Sequence, residues 1–360
     1  MRPRVAIVIL VAMALSRGLA PGIAHAQESP RIPCAAGDKP CILKLLASHP
    51  ARKAGFWNPV LARPVAQRMG PAPRELVEYL HIDNFANGFS EKPRASALED
   101  DFVADVRGAI ADMPPAVQRV FGDTFAGVWF VDELGGTGYT DMFRDGDGKP
   151  VGGFVVLDAA VLNRFTANAW ATWKENTPFK PAGGWALEAR IEDAAQDDRR
   201  GAIRYILLHE LGHVLSINRG VHPRWDMAPK DVPATESFPF FELSWTIDRK
   251  ESRYASTFDR DFPMRRSIVY YLGAKLAASD MTGAYASLGR TNFPTLYAAT
   301  SPGDDFAESF VSYVHTVLMK RPWEITLRKD GKAVKTYRTC WEEPRCAAKR
   351  RILEELLRGM

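Results

Sequence analysis

The chain of 360 residues is predicted to be an α+β protein, and three observations carry that prediction. Two short apolar runs, 125–131 and 153–158, have the β-branched and aromatic composition of strands, with Gly135-Gly136 and Gly153 as punctuation. The segment 198–217 repeats Ile203, Leu207, Leu211 and Val214 at helical spacing and stops at Gly220. Further helices are predicted over 100–111, over 267–278, over 301–320 and over 344–358, with another starting at Pro114-Pro115.

In chain order, residues 1–26 read as a secretory signal. Met1-Arg2-Pro3-Arg4 precedes an apolar run over 5–15, and Ala24-His25-Ala26 offers a small-residue cleavage site before Gln27. The run is too short to span a bilayer, and no later stretch approaches the ~20 apolar residues a spanning helix needs. A periplasmic or secreted protein without stable membrane insertion is expected. Without its first 26 residues the chain keeps 44 basic and 43 acidic side chains, so the basic clusters at 329–338 and 349–351 read as solvated faces and no nucleic-acid partner is expected. The four cysteines fall into close pairs, Cys34 with Cys41 and Cys340 with Cys346, and an oxidising compartment favours two disulfides over a four-thiolate zinc site; local pairing is expected, with cross-pairing of the N- and C-terminal segments the other arrangement.

Residues 27–95, rich in Pro and Gly, are expected to form an N-terminal extension of loops and short helices, 96–330 the main domain, and 331–360 a disulfide-bearing helical tail. Asp145-Gly146-Asp147-Gly148 has hairpin-turn chemistry; a calcium loop would need a later Glu and a regular ladder of ligands. Residues 221–265, with five prolines, suit a long surface excursion able to shape a cleft, and Trp170, Trp173 and Trp185 are expected in the core.

The chemistry concentrates in His209-Glu210-Leu211-Gly212-His213. Residues four apart on a helix share a face, so both imidazoles can hold one ion while Glu210 reaches a water beside it as general base. Zinc is the expected cofactor. Two histidines leave the ion one protein ligand short, and the strongest region for a third is 297–310. There Ser301 caps a helix, Pro302 takes its first position, and Asp304 and Glu308 lie one turn apart, so one can bind the ion while the other accepts a hydrogen bond from a liganding imidazole. Asp304 ranks first as the ligand and Glu308 second. Asp305 points about 100° away around the helix. Ser301 with Asp304 also reads as a simple capping box. His222 and His315 are the rival ligands, each more economically an ordinary partnered histidine.

At these residues the chain resembles the gluzincin metallopeptidases, in particular the anthrax lethal factor family and the bacterial Mtf-type peptidases. In that group a His-Glu-x-x-His helix is followed by a second helix whose first turn supplies a Glu ligand in a Glu-x-Phe-Ala context, seven residues after a Tyr. Here Asp304-Asp305-Phe306-Ala307 follows Tyr297 at that separation, with Asp in place of the Glu. The resemblance covers about thirty residues. It implies a zincin-like core, His209 and His213 as ligands, Glu210 as base, Tyr297 as a hydroxyl beside the developing oxyanion, and Glu308 behind a ligand. The shorter Asp304 means either that its helix sits closer to the metal or that Glu308 coordinates instead.

The expected function is an exported zinc metallopeptidase that hydrolyses peptide bonds by Glu-assisted attack of a zinc-bound water. A zinc amidase on cell-wall peptides and a zinc-stabilised envelope binding protein without turnover are the alternatives. The strand at 153–157 is the expected edge for pairing with an extended substrate.

Overall fold

The computed structural model describes residues 32–122 and 124–359; the signal read at 1–26 lies outside the described residues. Five strands build the central sheet: β1 (Met69–Pro71), β2 (Arg94–Ala95), β3 (Phe125–Asp132), β4 (Gly138–Arg144) and β5 (Pro150–Asp158). Their order is β1-β3-β5-β4, with β1, β3 and β5 parallel, β4 antiparallel to β5, and β2 paired to the end of β3. The turn between β4 and β5 is the one expected at Asp145, whose carboxylate accepts from the amides of Asp147 and Lys149 at 3.0 and 2.9 Å.

Strand β5 explains its own uninterrupted apolar sequence. Val155 and Leu157 face the core shared with the motif helix, whereas Phe154 and Val156 face a second core around Trp57, Leu76 and Leu80. A strand covered on both faces reads as continuous rather than alternating, and each such side chain contributes roughly 1.5–3 kcal/mol by leaving water. Because β5 lies inside the sheet, the expectation that residues 153–157 form a free edge is wrong; the edge is β4.

The second core is made by α1 (Lys39–Ser48), α2 (Ala54–Leu61) and α3 (Arg74–Asn87). Trp57 of α2 is fully buried and stacks on Phe154 with ring centroids 4.9 Å apart. The described part of the expected N-terminal extension, residues 32–95, is not appended: it contributes two strands to the central sheet and covers one of its faces. Of the apolar pieces in this region, Ile42 to Leu46 lies in α1 and Leu76 to Leu80 in the fourteen-residue α3, whose Leu76, Val77 and Leu80 are buried.

On the other face lie α4 (Asp100–Ala111), α5 (Ala167–Asn176), α6 (Arg199–Ser216), α7 (Pro302–Tyr313) and α8 (Ala347–Arg358). Strands β6 (Trp185–Arg190), β7 (Glu324–Lys329) and β8 (Lys332–Arg338) form a separate antiparallel sheet in the order β8-β7-β6. The boundary expected at 331 thus falls inside a hairpin. Both disulfides are local, Cys34–Cys41 and Cys340–Cys346. Trp170 is buried, but Trp173 is 38% exposed and stacks on Phe165. Among the described residues, no helix is long and apolar enough to cross a membrane.

The helix expected over 267–278 does not form. Tyr271 and Gly273 adopt positive φ, Leu276–Ala277 pairs with Phe179–Lys180, and helix resumes only at Met281–Leu288. Ile268, Val269, Tyr270 and Tyr271 are weak helix formers, and Tyr270 is drawn into a buried hydrogen bond to Glu175 at 2.9 Å.

Candidate metal centre

Helix α6 begins at Asp198, whose carboxylate accepts from the Gly201 amide at 2.7 Å, and it is buried on nearly every side rather than along one stripe. It runs beneath β4 and β5 and against α7. The contact with α7 depends on Gly212, because a Cβ there would stand 2.8 Å from the Ala307 Cα. That close approach brings the first two turns of α7 up to the imidazoles.

His209 and His213 face one another with Nε2 atoms 3.2 Å apart. Asp304 Oδ1 lies 3.8 Å from His213 Nε2, and one donor atom from each of the three residues falls within 4.8 Å of the others. The other oxygen of Asp304 accepts from Ser301 Oγ at 2.7 Å and Thr300 Oγ1 at 3.1 Å, while the Asp304 amide donates to Ser301 Oγ at 3.1 Å. The cap and the ligand are thus compatible: the cap fixes Oδ2 and leaves Oδ1 directed at the histidines.

Glu308 does not join this triad. Its Oε1 sits 3.0 Å from His209 Nδ1 and 3.2 Å from Lys174 Nζ, and its Oε2 accepts from Thr295 Oγ1 at 2.6 Å. It lies behind His209, on the side away from His213, so the ranking of Glu308 as second-choice ligand is corrected by its position. Burial pushes the Glu308 carboxyl up, but Lys174 and His209 outweigh that and bring it down to about 2. With Glu308 Oε1 beside Nδ1, His209 Nε2 is the nitrogen that faces the triad.

Burial also pulls His209 down, and Glu308 beside it more than compensates, raising it above the ordinary histidine value. His213 is held well below that value by burial and by neighbouring His209. Two Nε2 atoms at 3.2 Å can share one hydrogen bond, one ring donating and the other accepting. A shared proton would serve the pair alone, but a carboxylate oxygen directed at the same point suits a metal ion. The donors of a tetrahedral zinc at about 2.0–2.1 Å stand about 3.3 Å apart, so the histidine spacing and the His-His-Asp donor set fit zinc.

Glu210 lines the same cleft as His209 and His213 and reaches toward the sheet edge. Thr140 Oγ1 of β4 donates to its Oε2 at 2.7 Å, and Gly138 leaves the space that its Oε1 fills. Burial raises its pKa, with His209 and the Thr140 hydrogen bond opposing. Tyr297 stacks on His209 with centroids 5.5 Å apart and an interplanar angle of 21°. Two cleft lobes, of about 370 and 280 Å³, meet along Gly138, Tyr139, His209, Glu210 and Tyr297.

Of the rival histidines, His222 lines the larger lobe and directs Nδ1 at the Pro223 carbonyl at 2.7 Å, outside the triad. His315 is buried far along the α7 axis with Nε2 2.6 Å from the Ile191 carbonyl. Asp305 turns away as expected, pairing with buried Lys349 and accepting from Trp245 Nε1 at 3.0 Å. Sequence reasoning missed Thr140, Thr295, Lys174 and Glu175. The only local signal was an adjacent Lys-Glu pair in the aromatic-rich segment 170–175. Comparison with protein-family models, curated proteins and solved structures finds no match to the chain.

Proposed function

We propose that this chain is a zinc-dependent metallopeptidase of the gluzincin kind, built on a zincin-like core and acting outside the cytoplasm. The observation that carries the reading is the facing Nε2 pair of His209 and His213 with Asp304 Oδ1, beside a carboxylate, Glu210, that opens into the same cleft. His209, His213 and Asp304 would hold the ion. When bound, zinc supplies Lewis-acid polarisation of a carbonyl and a water acidified to a pKa of about 7.

The chain's own groups then divide the work. Glu210, its second oxygen tethered by Thr140, accepts a proton in the cleft and returns it to the leaving amine. Its raised pKa brings it nearer the neutral range in which such a base is most effective. Tyr297, packed on His209, presents a neutral hydroxyl to the developing oxyanion. The edge strand β4, bridged to Lys53 at Arg144, would offer the backbone groups of its Gly138 end to an extended peptide, whose flanking residues would occupy the two lobes. Two disulfides support an oxidising, extracytoplasmic location.

The test is Glu210→Gln assayed on a peptide library with zinc content measured alongside. The expected result is loss of cleavage by at least about a thousandfold with zinc unchanged. A parent that carries zinc but cleaves neither peptides nor cell-wall fragments would contradict the enzymatic reading.

A further inference from the structure

Behind His209 the protein has buried an ion cluster that the triad itself does not require. The Lys174 ammonium, on α5, lies 3.2 Å from Glu308 Oε1 and 3.2 Å from Glu175 Oε1, with the three side chains between 1% and 5% exposed. Glu175 is fixed in turn by Tyr270 and Tyr285, whose hydroxyls donate to its other oxygen at 2.9 and 3.0 Å. The same ammonium stands 4.5 Å above the Tyr297 ring, which stacks on His209. One side chain therefore reaches both groups that touch the inner face of His209: the carboxylate on its Nδ1 and the ring on its flat side.

Taking three charges out of water is costly, and apolar side chains of similar volume usually hold a core at least as well. A cluster kept only for stability would also have no reason to end on a liganding imidazole. We infer that Lys174 is a positioning residue, which holds Glu308 and the Tyr297 ring against His209 and so fixes the tautomer and tilt of that ligand. This rests on the zinc reading above. The clamp runs from Tyr270 and Tyr285 through Glu175 and Lys174 to Glu308, so a helix that contributes nothing to the triad sets the orientation of one of its members.

A purely structural Lys174 would serve to neutralise Glu175, and that role is separable. The experiment compares the full chain, Lys174→Met, and the double variant Lys174→Met/Glu175→Gln, which removes a charge of each sign. Thermal melting, zinc affinity by chelator competition, and ¹⁵N-imidazole spectra of the metal-free protein are read for each. The double variant is expected to recover most of the melting temperature lost by Lys174→Met. Its zinc affinity should remain about 10–100-fold below that of the parent, the usual effect of removing an outer partner of a metal ligand. The His209 signal of the metal-free protein should also leave the Nδ1–H form of the parent. A double variant with parental zinc affinity and parental His209 spectrum would overturn the inference and leave Lys174 as a counter-charge for Glu175. A parent that takes up no zinc would overturn the peptidase reading, and the His209 spectra would then decide the role of Lys174 by themselves.

Discussion

Asp304 and Glu308 stand one turn apart on α7, carry the same functional group, and meet opposite sides of the same histidine pair. Asp304 sits at the rim with its side chain 21% exposed, tethered by two hydroxyls and facing no lysine or arginine. Glu308 is 1% exposed, pressed between His209 and Lys174. The difference teaches that spacing on a helix nominates two carboxylates, and the surroundings assign their work. The one with neutral partners leaves an oxygen facing the histidine pair. The one with a lysine partner lies against His209 Nδ1.

The widest separation between the two should come from Asp304→Ala. It is expected to lower zinc affinity by more than about 100-fold, while the metal-free protein loses only about 1 kcal/mol with the cap interaction. Chelator competition and denaturant melts on the metal-free form read the two effects separately. Glu308→Gln should invert the pattern: about 10–100-fold in zinc affinity, but on the order of 3 kcal/mol of metal-free stability, because Lys174 loses one of its two carboxylates. An equal stability loss in both variants would erase the distinction.

The same contrast has a pH signature. Glu308 is depressed to about 2 from an ordinary value of 4.5. A carboxylate with a lowered folded pKa stabilises fully above its unfolded value, and that contribution disappears as pH falls toward the folded one. The stability gap between parent and Glu308→Gln should therefore be flat above about pH 4.5 and shrink between there and about pH 2; a gap constant down to pH 2 would contradict the ion-pair assignment. Gly212→Ala should act on both carboxylates at once by forcing α6 from α7, costing about 1–3 kcal/mol and weakening zinc binding. The smallest effect concerns Asp83 at the mouth of the smaller lobe, raised to about 6 by burial and by Asp141. A carboxyl with a raised folded pKa destabilises above that value and ceases to do so below its unfolded one. Asp83→Asn should stabilise by roughly 1–2 kcal/mol at pH 8 and by little at pH 4, as melts at the two pH values would show.

Much of the centre was legible because its signals are local. Two histidines four apart, a glutamate between them, and Ser301-Pro302 starting the second helix each follow from spacing on one helix. Strands β3 and β5 were legible for the same reason. Lys174 was not, since its contact with Glu308 joins residues 134 apart and the adjacent Lys-Glu pair does not point to that partner. The run at 267–278 misled because its apolar spacing suits a helix while Tyr270 is required elsewhere. The free edge was misplaced because an apolar run marks a buried strand, and a buried strand is the one least available to a substrate.

The most direct test is the zinc content of the purified parent, Asp304→Ala and Glu308→Gln after reconstitution and dialysis against a weak chelator. One zinc per parent chain, none in Asp304→Ala and partial retention in Glu308→Gln is the predicted result. No zinc in the parent would contradict a metal centre, and zinc held by Asp304→Ala but lost from Glu308→Gln would exchange the roles of the two carboxylates.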